Sequence, residues 1–85
     1  MDYQEQYKKV LLSAPHCILG KKGITNEFIE HVAKLLKRNK IIKIKALKTI
    51  GTKENITLLA KTISESTSSE ILDIRGKMII LKKKN

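Results

Sequence analysis

The residues Gly20-Lys21-Lys22-Gly23 are the part of this 85-residue sequence whose types and spacing could do chemistry. Glycine has no Cβ, so it lets a ligand reach the main chain and permits positive φ. The apolar run "HCIL" leads into the loop, and a helical pattern follows from Thr25. A helix start offers unpaired N–H groups and a positive dipole end, which suit an anion. Lys21 and Lys22 add two mobile charges beside it. Strand, GxxG and helix together can therefore grip a phosphate backbone.

GxxG alone also serves as an ordinary turn, so the surroundings have to add to it. The loop lacks the GxxxxGK plus serine or threonine of a nucleotide-hydrolysis loop, and it is not GxGxxG. KH modules clamp a nucleic-acid backbone with a GxxG loop of their own. The formal net charge is +10, a large value for so short a chain. Such a field favours polyanions, nucleic acid first and anionic membrane second. The placement of charge sharpens this, because Lys34, Lys37, Arg38, Lys40, Lys43, Lys45, Lys48 and Lys53 follow one another without an acidic residue among them. An ordinary solvated face would intersperse acidic partners.

Enzymatic arrangements are thin. His16 and His31 belong to different elements and have no cysteine or carboxylate at metal-ligand spacing. Glu27, Glu30 and Glu54 read as helix-start charges. The single cysteine, Cys17, cannot form an internal disulfide and reads as a small buried hydrophobe in a reducing compartment. No catalytic site, metal or cofactor is expected. No apolar run approaches the ~20 residues of a membrane span, and the polar start "MDYQEQYKK" does not read as a secretory signal. A soluble, cytoplasmic protein without membrane contact is the expectation.

The elements that must position the loop follow from periodicity. Tyr3, Tyr7, Val10, Leu11 and Ala14 form one stripe of a helix that Pro15 stops. The strand "HCIL" comes next. A second helix, capped by Thr25 or Asn26, turns Phe28, Ile29, Val32, Ala33, Leu35 and Leu36 to one face and stops at Asn39. In "KIIKIKAL" Ile42, Ile44 and Ala46 alternate with Lys43 and Lys45, a strand pattern. A loop around Gly51 precedes a third helix from about Thr52 that buries Ile56, Leu59, Ala60 and Ile63. "STSS" reads as a polar connection. "EILDIR" and "KMIILK" read as a hairpin about Gly76, with Lys82, Lys83 and Lys84 as a tail. A helix followed by βαβαββ predicts an α/β two-layer sandwich with a four-stranded mixed sheet, the first three strands parallel and the last antiparallel. The whole chain, 1–85, reads as one domain. At this length only about 60–65% of the unfolded surface is buried, enough for one modest core.

The residues also resemble a known family. Pro15, Gly20, Lys21, Gly23, Ile24 and Thr25 match a proline-led strand followed by G-K-x-G, an aliphatic residue and threonine. Ile42, Lys43, Ile44 and Lys45 match a later lysine-alternating strand. These are signatures of the CRM domain (chloroplast RNA splicing and ribosome maturation), whose stand-alone form is the YhbY-like protein. The chain departs from the family wording before Pro15 and at "IILKKK". The resemblance implies an RNA-binding domain with a fold similar to the C-terminal domain of translation initiation factor three. It also implies a role in maturing the large ribosomal subunit, with the GKxG loop as the proposed RNA contact. The expected RNA-binding residues are Gly20, Lys21, Lys22, Gly23, Thr25, Lys34, Lys37, Arg38, Lys40, Lys43 and Lys45. The scarcity of aromatic residues favours structured RNA, such as ribosomal RNA or a pre-ribosomal particle, read through phosphates and 2′-hydroxyls. A monomer is expected. The alternative is a small basic architectural DNA-binding protein of the Alba type, which this chain is similar to in size, charge and element order.

Overall fold

Strand β2, Ile41–Ala46, is where the molecule is built outward from, because every side chain but that of Lys45 is buried, on both faces. The computed structural model describes residues 3–47, 50, 52 and 54–84. The side chain of Tyr3, and the loop residues Lys48, Gly51 and Lys53, lie outside the described residues. Around β2 stand α1 (Tyr3–Leu12), β1 (Cys17–Leu19), α2 (Asn26–Arg38), α3 (Ile56–Thr67), β3 (Ser69–Arg75) and β4 (Met78–Lys83). The sheet order is β1-β2-β4-β3, with β1 parallel to β2 and β4 antiparallel to both β2 and β3. The first three strands thus share one direction and the last opposes them, as the element order predicts. β4 slots between β2 and β3, and the unbroken run Ile79-Ile80-Leu81 suits a central strand covered on both faces.

Period-two alternation sorts the side chains. Ile42, Ile44 and Ala46 of β2 and Ile79 and Leu81 of β4 form the main core with Val32 and Leu36 of α2 and Ala60 and Ile63 of α3. Each fully buried isoleucine or leucine contributes on the order of 1.5–3 kcal/mol. Strand β3 would break the pattern without a bulge. Ile71 pairs with Leu81 but Asp73 pairs with Ile80, so Leu72 is the extra residue. That insertion lets Ile71 and Ile74 both meet the core and turns Asp73 to the other face, beside Ile80.

Helix α1 lies against this second face and adds cover beyond the sandwich of sheet, α2 and α3. The Tyr7 hydroxyl donates to Asp73 Oδ2 at 2.8 Å, and Arg75 Nε donates to the same oxygen at 2.8 Å. Lys43 Nζ donates to Leu11 O and Ser13 O, both at 3.0 Å. These carbonyls belong to a helix end, where main-chain acceptors lack partners and a cation is favoured.

Several expected boundaries move. α3 begins at Ile56, after a turn in which Thr52 N–H donates to Asn55 Oδ1 and Asn55 N–H donates to Thr52 Oγ1. This reciprocal pairing has capping-box logic, and the helix starts four residues downstream of the expected Thr52. In "STSS", Ser66 and Thr67 complete α3 and Ser69 opens β3, leaving only Ser68 between them. Lys82 and Lys83 belong to β4 and are not a free tail, since Lys83 N–H donates to Lys40 O at 2.8 Å and extends the ladder.

Candidate nucleic-acid interface

Gly20 to Gly23 form a closed turn, with Gly23 N–H donating to Gly20 O at 3.0 Å. Lys21 and Lys22 occupy its two central positions and are exposed. Both have negative φ, since Ser68 is the one non-glycine residue with positive φ among those described, so the turn is of type I. The two glycines differ in their reasons for being there. Gly23 sits at φ +72°, a conformation that side chains disfavour. Gly20 lies outside the left-handed region, and a Cβ built on it would meet nothing within 4 Å. Neither backbone geometry nor internal crowding requires glycine at position 20.

Thr25 continues the site into α2. Its backbone is extended, and its Oγ1 accepts the Phe28 N–H at 3.0 Å, which makes it the N-cap. The threonine hydroxyl is thereby committed to the helix start. At the other end Asn39 turns extended, with its main-chain N–H and its Nδ2 both donating to Leu35 O. α2 is 13 residues long, so at 1.5 Å per residue its two ends stand about 20 Å apart.

The expected basic residues divide between these ends. Lys45 is exposed and lies opposite Ile18, two residues ahead of the turn, with Lys21 and Lys22. Arg38 and Lys40 are exposed at the far end, and Lys34 and Lys37 are exposed on the helix between. Lys43 does not join them. It is only 9% exposed, and its ammonium is spent on the carbonyls of α1. Alternation had put Lys43 on the face opposite the core, and α1 covers that face at this point.

The profile of the CRS1 / YhbY (CRM) domain matches residues 4–83. The chain belongs to the CRM domain family. A hypothetical protein from Staphylococcus aureus, solved in solution and described as a proposed RNA-binding protein, superposes with a TM-score of 0.79. It is 26% identical, and the alignment covers 96% of this chain and 83% of that one. No curated protein matches the sequence.

Within this CRM domain the titratable groups serve structure. Arg75 and then the Tyr7 hydroxyl hold the Asp73 carboxyl below the usual carboxylate range, while the bond to Asp73 raises the Tyr7 phenol. Cys17 is half-buried against the core, less enclosed than its strand pattern suggests, and desolvation pushes its thiol up to about 11. His16 accepts the Lys43 N–H on Nδ1 at 3.0 Å, and desolvation lowers its pKa. Sequence reading missed this role, because nothing in the local pattern shows that His16 meets β2 side on. Among the described residues no group of three or more His, Cys, Asp or Glu could hold a metal, and no helix is long and apolar enough to cross a membrane.

Proposed function

We propose that this CRM domain binds structured RNA through its phosphates, with the Gly20–Gly23 turn as the primary contact, and that it serves in maturation of the large ribosomal subunit. The family is one of RNA-binding domains. The observation that carries the turn's part in this reading is Gly20. It is a glycine with ordinary backbone and open space at its Cβ position, next to two exposed lysines at the start of a helix. Room left on the outside of a loop is room for a ligand to reach the main chain. Lys21 and Lys22 supply charge there, Lys45 adds to it, and α2 directs its N-terminal N–H groups to the same end. Lys34, Lys37, Arg38 and Lys40 extend the footprint. Thr25 contributes by holding the helix start in place.

Charge reversal of both loop lysines tests the reading. K21D/K22D leaves the glycines and the Thr25 cap intact, so stability should move within about 0.5 kcal/mol. Affinity for a structured ribosomal RNA fragment should fall at least ~30-fold, about 2 kcal/mol. Duplex DNA should compete poorly. A variant that binds RNA as tightly as wild type would reduce the turn to a connection. Sequencing of RNA crosslinked in cells tests the ribosomal assignment, which fails if large-subunit precursors are not enriched.

A further inference from the structure

The end of α2 opposite the turn carries a second basic feature. Lys9 of α1, His16 ahead of β1, and Arg38 and Lys40 around the end of α2 line a cleft of about 370 Å³, together with Val10 and Ile41. No carboxylate lines it among the described residues, and none of Lys9, Arg38 and Lys40 forms an ion pair there. Cations gathered without a counter-charge repel one another, and an anion relieves that repulsion.

His16 completes the set. Its main-chain N–H donates to Lys43 O at 2.8 Å while its Nδ1 accepts the Lys43 N–H, so the residue is pinned to β2 through main chain and ring. With Nδ1 accepting, the proton of the neutral ring sits on Nε2, at the opposite edge. The charged and imidazole groups of the cleft are therefore all donors. A compact anion with several oxygens is the ligand such a set fits. Lys83, bonded through its N–H to Lys40 O, brings the C-terminal lysines to the same end.

The geometry points to a second backbone-phosphate site in the Lys9–His16–Arg38–Lys40 cleft, so that one RNA is held at both ends of α2. This rests on the RNA-binding reading above. The helix, 13 residues long, separates the two sites by about 20 Å. A DNA duplex rises about 3.4 Å per nucleotide of a strand and A-form RNA rises less, so that span is at least roughly six nucleotides. An RNA much shorter than this reaches one site only.

The test pairs K9Q/K40Q with K61E, which changes the charge by the same two units on the exposed side of α3. Affinities are read by fluorescence anisotropy for a hairpin with a stem of about twelve base pairs and for a trinucleotide. K9Q/K40Q should weaken hairpin binding at least ~10-fold and trinucleotide binding less than ~2-fold, and K61E should change either by less than ~3-fold. R38Q, a single exposed change in the same cleft, should move hairpin affinity in the same direction. Titration of inorganic phosphate into wild type should give saturable NMR shifts at the Lys40 and Lys43 amides, absent in K9Q/K40Q. Hairpin binding by K9Q/K40Q equal to that of K61E overturns the second site, and if K21D/K22D is still defective, the turn's role stands alone. Phosphate shifts without any effect on RNA mean an adventitious ion only and overturn it as well. If wild type binds neither RNA, the RNA-binding reading falls and takes the second site with it.

Discussion

Four residues show how far a position's role depends on what surrounds it. Lys43 is one of a row of lysines, yet its ammonium closes the end of α1. Lys43→Met keeps the buried stem and deletes both bonds, so it should cost about 1–2 kcal/mol in urea denaturation. RNA affinity should change less than twofold, unlike an exposed lysine of the turn. Gly20 and Gly23 separate in the same way. Gly23→Ala forces a side chain into φ +72° and should lose about 1 kcal/mol. Gly20→Ala should be neutral or slightly stabilising but should weaken RNA binding, because its Cβ would occupy the approach to the loop. Equal RNA affinity for Gly20→Ala and wild type would remove the reason given for that glycine. Cys17, with its thiol raised to about 11, should react with a thiol reagent at pH 8 on the order of a hundredfold more slowly than in the unfolded chain.

At the scale of elements, connections are tighter than composition suggests. α3 passes into β3 through Ser68 alone, held in the left-handed region at φ 51° and ψ 47°. The helix stop is thus made by a residue that disfavours it. Ser68→Gly should raise stability by about 0.5–1 kcal/mol, readable as a higher melting temperature. The same measurement on Tyr7→Phe reports the docking of α1. The hydroxyl bond to Asp73 is lost while Arg75 remains on that carboxylate, and a loss of about 0.5–1 kcal/mol is expected. An unchanged melting temperature would mean that α1 is held by Lys43 and apolar contacts without help from the tyrosine.

Across the whole molecule the net charge of +10 sets the long-range behaviour. If about four to six phosphates are neutralised, log K should fall with log salt at a slope of about −3 to −5. A flat dependence would exclude phosphate contact as the main source of affinity. Stability carries a pH signature of its own. His16 has a lowered pKa in the folded chain, caused by desolvation, so the unfolded chain binds more protons between the two values. Stability is therefore complete above about pH 6.5 and declines as pH falls below it. His16→Asn keeps an acceptor for the Lys43 N–H and should flatten the melting temperature between pH 7.5 and 5.5.

Much of this was legible in the chain itself. The Thr25 cap, the apolar stripe of α2, the alternation of β2 and the turn at Gly20–Gly23 are encoded within a few residues of one another, where local spacing is enough. The strand directions followed from the order of elements, and the RNA-binding family from motifs that lie close in sequence. What the sequence could not state is what lies across space. That α1 crosses the second face of the sheet and consumes Lys43, and that β4 enters between β2 and β3, are decided by packing. The shift by which the Leu72 bulge turns Asp73 toward Tyr7 joins residues 66 positions apart. The cleft of Lys9, His16, Arg38 and Lys40 draws on three separate segments. Periodicity reports which way a side chain points from its own element, and only the tertiary structure decides whether water or another element is waiting there.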